Sequence, residues 1–85
     1  MILRAEFTTE PFEGEGEPPE HAVAARDCLL ASGLDPEFGP LGTSITADSE
    51  TLIPALARVM ETVLTSGANR ITLQVTVGEP DEDAV

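Results

Sequence analysis

Apolar and polar residues alternate in two stretches near the ends of the chain, which is the pattern of strands that bury one face. The first stretch predicts a strand over residues 2–9, whose buried positions are Leu3, Ala5 and Phe7. The second stretch begins at Arg70 and predicts a last strand with four inward-facing side chains, Ile71, Leu73, Val75 and Val77. These two segments are the clearest strands in the sequence.

A first helix is predicted from about Pro19 to Ser32, where the sequence is rich in alanine and leucine. Its apolar stripe consists of Ala22, Ala25 and Leu29, with Val23 and Leu30 beside it. Gly33 follows and supplies the positive-φ position that commonly ends a helix.

A second helix is predicted before the last strand, because apolar residues again recur every three or four positions. They are Leu52, Leu56, Val59 or Met60, and Val63, and the helix ends at Ser66-Gly67. Asp48 or Thr51 could cap its start. Pro54 fits best in a first turn, where its missing N–H has no intrahelical partner, and this favours a start near Thr51, or a kink if the helix begins earlier.

Between the helices lie two shorter strands. Residues 34–38 allow only a short second strand, and Pro36 points to an edge position because it cannot donate to a ladder. The third strand alternates two faces, Thr43, Ile45 and Ala47 on one and Ser44 and Thr46 on the other.

The element order is therefore β-α-β-β-α-β, which predicts an α+β domain of the ferredoxin-like class. Right-handed crossovers give an antiparallel sheet of order 4-1-3-2 with both helices on one face. We expect one domain over residues 1–78 and an acidic, disordered tail over residues 79–85. The uncovered sheet face is polar with few charges, so it is interpreted as an interface or a binding surface, the alternative being an ordinary solvated face.

The net charge of the chain excludes some classes of binding partner. Sixteen acidic residues stand against four arginines and no lysine, a formal net charge of −12, so nucleic acid and anionic membranes are poor partners. Many of the acids lie in a loop over residues 10–20 and in the tail. This composition is similar to that of proteins from salt-accumulating halophiles, in which the acidic residues keep the protein soluble in concentrated salt. The alternative interpretation is an acidic loop that attracts a cationic ligand.

The sequence contains few residues that indicate a catalytic or metal-binding site. The sequence has no Ser/His/Asp-type set, no phosphate loop and no Cys/His cluster, so we expect neither an enzyme, nor a metal site, nor a cofactor. The single cysteine, Cys28, is interpreted as a small buried hydrophobe, and His21 has no second ligand at metal spacing. Phe12, in the acidic loop, could pack on the core or cover a ligand, and core packing is favoured.

Cellular location and assembly follow from length and hydropathy. The apolar start is interrupted by Arg4 and Glu6, and no run approaches the length of a membrane span, so we expect a soluble, cytoplasmic protein. A chain of 85 residues buries a small core. We therefore expect a homodimer or homotetramer that associates through sheet faces or edges.

Two motifs carry a family resemblance over about residues 2–78. They are Pro40-Leu41-Gly42-Thr43, after a first helix that ends in Ser32-Gly33-Leu34, and Gly67-Ala68-Asn69-Arg70-Ile71, which opens the last strand. In their order and separation they resemble the thiamine-binding protein family, also described as the MTH1187/YkoF-like superfamily. The chain departs from that pattern in its long acidic loop and at Thr46-Ala47.

The resemblance implies a protein that binds thiamine or its hydroxymethylpyrimidine part and acts as a homo-oligomeric carrier or sensor. It assigns Thr43 and Arg70 to the family's threonine and arginine, and Glu61 to a glutamate in the second helix. The polar part of such a site could come from Glu6, Thr8, Thr43 and Ser44, with Arg70 either at the ligand or paired with a carboxylate. The alternative function is a structural or regulatory homo-oligomer without a small ligand.

Overall fold

The computed structural model describes residues 1–12, 16–39 and 42–78. Its elements in chain order are β1 (Ile2–Glu10), α1 (Glu20–Ala31), β2 (Glu37–Gly39), β3 (Gly42–Asp48), α2 (Ser49–Thr65) and β4 (Arg70–Val77). The predicted tail, the middle of the acidic loop and two residues of the first motif, Pro40 and Leu41, lie outside the described residues.

The four strands form one antiparallel sheet of order β2-β3-β1-β4, which confirms the predicted α+β ferredoxin-like topology. Strand β1 is central, pairing with β3 along one edge and with β4 along the other. Both helices pack on the face that carries Leu3, Ala5 and Phe7, and these three side chains are buried. The core is therefore a single layer between the sheet and the helices.

The first helix forms where the sequence predicts it. It buries Ala25 and Leu29 together with His21, whose imidazole takes a core position that the apolar stripe did not include. Gly33 has a φ of 81°, and the next amide, that of Leu34, donates to the Leu29 carbonyl. This confirms the predicted glycine stop, because the left-handed backbone lets the chain return its amides to the last turn.

The second helix starts earlier than Pro54 suggests. Asp48 is the N-cap, and its carboxylate accepts a hydrogen bond from the Glu50 amide at 3.0 Å, so the expected start near Thr51 is wrong. The N-terminal ammonium of Met1 also donates to Asp48, at 3.1 Å. Pro54 lies exposed inside the helix and loses one backbone hydrogen bond, while the helix buries Leu52 and Ala55 on either side of it.

Two strands differ in detail from expectation. Strand β2 begins only at Glu37, after Pro36, so the predicted strand over residues 34–38 is too early at its start. The register of β4 with β1 places all four predicted residues on the helix-facing side of the sheet, as predicted. Ile71 and Leu73 are partly buried there, but Val75 and Val77 are exposed, so these two do not belong to the core. The helices do not extend over that end of β4.

The start of β3 lies very close to β1. A Cβ atom added at Gly42 would be 2.9 Å from the Phe7 carbonyl oxygen and 3.0 Å from Cγ2 of Thr8, and the φ of Gly42 is 154°. Only glycine fits this approach without moving the backbone.

No helix of the described residues is long and apolar enough to cross a membrane.

Replacing Gly42 by alanine should lower the free energy of unfolding by about 1–3 kcal/mol, because the new Cβ meets backbone and the φ is unfavourable for L-residues. Gly39→Ala is the matched control, since a Cβ there meets only the Gly42 carbonyl oxygen at 3.7 Å. Urea denaturation measures both. Equal losses in the two variants would contradict the steric argument.

The pKa of Asp48 is lowered, first by the hydrogen bond from the Glu50 amide and then by the Met1 ammonium. A carboxyl whose folded pKa is depressed stabilises the fold above its unfolded pKa and loses that contribution as the pH falls through the folded value. We therefore expect a carbon NMR titration to give a midpoint below 3.8 for this carboxyl. Acetylation of the N-terminus should move the midpoint upward, whereas an unchanged midpoint would exclude the ammonium as a cause.

Candidate functional site

A cavity lies at the end of β1, between the segment that precedes α1 and the β2–β3 hairpin. Its volume is about 740 Å³. The sheet register explains its floor: Phe38 pairs with Thr43, and Thr43 pairs with Phe7, so these three residues form one row across the helix-facing side. The walls come from the segment between β1 and α1, including Pro11, Phe12, Pro18 and Pro19.

Aromatic rings approach the cavity from three elements. Phe7 is buried and belongs to the floor, Phe38 is half-buried, and Phe12 is 49% exposed. The guanidinium carbon of Arg26 lies 5.3 Å from the centroid of the Phe38 ring, so a cation from α1 already rests on one face of that ring. The expectation that Phe12 packs on the core is not met, because its ring lies at the cavity with half of its surface in solvent.

His21 connects the cavity wall to the sheet. Its Nδ1 lies 2.7 Å from the Thr9 hydroxyl, and its Nε2 lies 3.0 Å from the Pro11 carbonyl oxygen. A carbonyl can only accept, so Nε2 carries the proton, and in the neutral ring Nδ1 accepts from the Thr9 hydroxyl. The imidazole thereby joins the first turn of α1 to the end of β1 and to Pro11, the residue that follows β1.

Two carboxylates, those of Glu10 and Glu17, are the acidic groups among the described lining residues. Arg70, at the start of β4, places its Nη1 3.6 Å from Oε1 of Glu10, and both side chains are largely exposed. The two opposite charges cancel at a distance, and because the pair is exposed it contributes little to stability. Glu17 is then the lining carboxylate for which no ion pair is found among the described residues.

The residues predicted from sequence divide between two places. Glu6 and Ser44 lie on the uncovered sheet face, in a smaller cavity of about 390 Å³ that also contains Arg4, Thr72 and Gln74. Thr8 and Thr43 line both cavities, because they stand where the two faces meet at the end of the sheet. Arg70 lines neither cavity, and Glu61 is exposed on α2.

Several residues of the larger cavity were not predicted. Phe38, His21 and Glu10 belong to three separate elements, and no local pattern joins them. Glu10 and Glu17 could have been found through the acidic loop, which was interpreted mainly as a solubility feature. Within the described residues, no group of three His, Cys, Asp or Glu side chains is placed to hold a metal ion, and Cys28 packs partly buried against the core.

The arrangement suits the binding of a small planar molecule. A cavity of this size, with aromatic walls and few polar groups, is typical of a pocket for an organic ligand. The ring faces of Phe12 and Phe38 can stack on a heterocycle, and the carboxylates can face a positive charge. Thr43, a buried residue that is 5% exposed, is the polar residue of the floor.

Solved structures with the same fold are found in bacteria and archaea. A Thermotoga maritima protein with a proposed role in thiamine biosynthesis or salvage superposes with a TM-score of 0.67 at 19% identity, covering 100% of this chain and 96% of that one. A hypothetical protein of Methanocaldococcus jannascii gives a TM-score of 0.65 at 22% identity, covering 92% and 79%. A Bacillus cereus domain of unknown function gives 0.63 at 16% identity, covering 88% and 72%. At these identities the likeness concerns the fold.

Sequence comparison identifies the family. No curated protein matches the chain. The family model described as thiamine-binding protein matches residues 5–84, which is nearly the whole chain and includes all of the elements except the first three residues of β1. The fold, the order of the elements and this match agree, and the chain belongs to the thiamine-binding protein family.

Proposed function

We propose that the chain is a non-enzymatic binding protein for thiamine or its hydroxymethylpyrimidine part, and that it acts as a homo-oligomeric carrier or sensor. The family supports small-molecule binding in general. The observation that carries the more specific proposal is the convergence of two aromatic rings and two carboxylates on one cavity.

The shape and chemistry of this ligand fit the lining groups. Thiamine joins a planar aminopyrimidine to a thiazolium cation, so it needs a flat apolar slot at one end and negative charge at the other. Phe12 and Phe38 supply the slot, and Glu10 and Glu17 supply the charge. Thr43 lines the cavity, and its hydroxyl could bond a ring nitrogen or the amine of the pyrimidine.

The two ligands separate the roles of the rings and the carboxylates. Hydroxymethylpyrimidine is neutral near pH 7, whereas thiamine carries a permanent positive charge. Loss of a carboxylate should therefore weaken thiamine binding alone, and loss of a ring should weaken the binding of both.

Titration calorimetry with both ligands tests the proposal, in molar salt and again at lower salt, where carboxylates act over a longer range. We expect saturable binding of thiamine and about tenfold weaker binding of both ligands by Phe12→Ala, a loss typical of one stacking contact. Phe12→Leu is the matched variant, because it keeps apolar area without a ring. Absence of heat with either ligand, from folded protein, would contradict the proposal.

Replacing Glu17 by glutamine should weaken thiamine binding about two- to fivefold at low salt, because a single exposed carboxylate contributes little, and should leave hydroxymethylpyrimidine binding unchanged. Glu50→Gln is the control, since Glu50 is an exposed glutamate on α2 outside both cavities. Equal losses for both ligands in Glu17→Gln would show that the carboxylate does not act through charge.

The link between His21 and Thr9 should be measurable as a coupling between the two residues. Thr9→Val leaves Nδ1 of His21 without its donor, and His21→Ala leaves the Thr9 hydroxyl and the Pro11 carbonyl without a buried partner, each lowering the free energy of unfolding by about 1–3 kcal/mol. The double variant should lose less than the sum of the two, as contacting residues do. Additive losses in urea denaturation would refute the hydrogen bond.

A further inference from the structure

The positively charged side chains of the protein lie outside the larger cavity, the one at the end of β1. The chain has four arginines and no lysine. None of the four arginines lines this cavity. The segments outside the described residues contain no arginine, lysine or histidine in their sequence. The chain therefore offers no arginine or lysine side chain to an anion inside the cavity.

Arg70 contacts a residue of the cavity lining. Its Nη1 lies 3.6 Å from Oε1 of Glu10, which lines the cavity at the end of β1. The two opposite charges cancel at a distance. An anion that took Arg70 would have to displace Glu10 and would leave that carboxylate unpaired beside itself. The pair therefore withholds the guanidinium from an anionic ligand.

The other three arginines also have contacts. They are those of Arg4 with Glu6 at 4.0 Å, of Arg26 with Asp27 at 3.2 Å and of Arg58 with the Ser32 hydroxyl at 2.9 Å. Arg26 lies against the cavity wall, with its guanidinium carbon 5.3 Å from the centroid of the Phe38 ring. Its charge is thus shared between a neighbouring aspartate and a ring face.

The imidazole of His21 lines the cavity, but both of its nitrogens are already bonded. Nε2 donates to the Pro11 carbonyl, and Nδ1 accepts from the Thr9 hydroxyl. A phosphate oxygen that bonded either nitrogen would break one of these hydrogen bonds and leave a buried group without its partner. His21 is therefore committed to the wall of the cavity.

The N-terminus of α1 contributes positive partial charge to the wall, and carboxylates oppose it. The amides of Ala22 and Val23 already donate to the Pro19 carbonyl, at 3.0 and 3.1 Å. Glu20 places a carboxylate in the first turn, and Glu17 lines the cavity just before the helix. This helix end is consequently a poor site for an anion.

The function proposed above determines which part of the ligand meets these carboxylates, and the present inference rests on it. The thiazolium ring of thiamine carries a hydroxyethyl arm, on which a phosphate ester forms. With the pyrimidine against Phe12 and Phe38 and the thiazolium toward Glu10 and Glu17, the arm ends on the acidic side of the cavity. A phosphate on the arm would bring about two negative charges to that side.

We propose that this cavity takes the free alcohol of its ligand and rejects the phosphate ester, and that Glu10 determines this specificity by holding Arg70. Thiamine is a cation, whereas its monophosphate has a net charge of about −1 above neutral pH, so the same carboxylates attract the first and repel the second. The net charge of −12 on the chain acts in the same direction. A carrier or sensor with this specificity responds to the unphosphorylated ligand alone.

Titration calorimetry with thiamine, thiamine monophosphate and O-acetylthiamine tests the proposal. EDTA removes divalent cations, which would otherwise bridge a phosphate and a carboxylate. At about pH 8, imidazoles are ordinarily neutral and phosphate monoesters carry two charges. We expect the monophosphate to bind about tenfold more weakly than thiamine in about 0.1 M salt, and the difference to shrink in molar salt, where charges are screened. The acetyl ester enlarges the same arm without charge and should bind nearly as thiamine does.

Glu10→Gln removes one carboxylate and leaves Arg70 without its partner. It should strengthen the binding of the monophosphate about tenfold and weaken that of thiamine about two- to fivefold. Adding Arg70→Gln should remove most of the gain, which separates the freed guanidinium from the lost carboxylate. Glu50→Gln is the matched control, because it changes the net charge equally at an exposed glutamate outside both cavities. Circular dichroism at both salt concentrations shows that the fold is kept.

The ligands distinguish a failure of this inference from a failure of the proposed function. Absence of thiamine binding by folded protein would overturn the proposed function and this inference with it. Binding of thiamine together with equal or tighter binding of the monophosphate would overturn the inference alone. So would an acetyl ester that binds as weakly as the phosphate ester, since size would then explain the rejection, or an unchanged preference in Glu10→Gln.

Discussion

Strand β1 is the constraint on which the rest of the structure depends. It pairs along both edges, and its inward side chains form the centre of the core, where Ala5 has no exposed surface. In a chain of 85 residues the covered face of one sheet is the whole core, so the helices have a single place to pack. Strands β3 and β4 are positioned by pairing with β1, and the two helices are positioned by packing on its buried side chains.

The cavity is a consequence of where β1 ends. Beyond Glu10 the chain leaves the sheet, and the hydrogen bonds of His21 to Thr9 and Pro11 hold the first part of the loop beside α1. On the other side Gly42 brings the hairpin within backbone contact of Phe7. The space between these two points is lined by the segment before α1 and by residues of β1, β2 and β3, and Phe7, Phe12 and Phe38 meet there.

Charged side chains are distributed unevenly over the described part of the molecule. Carboxylates of the loop border the cavity, where they can act on a cation, whereas the outer side of β4 has none between Ile71 and Val77. A uniformly acidic surface would give solubility alone. Among the described residues the charge is therefore unevenly distributed, with two carboxylates at the cavity and an uncharged segment along β4.

The sequence by itself determined the elements, their order and the family, because period-2 and helical patterns are local and the two glycine motifs are contiguous. It also determined the inward face of β1. Only the tertiary structure decided that Val75 and Val77 lie beyond the helices, since the pattern of a strand does not contain the width of the layer above it. The candidate site also depends on the tertiary structure. Phe12, His21 and Phe38 are separated along the chain, and the folded backbone brings them to one cavity.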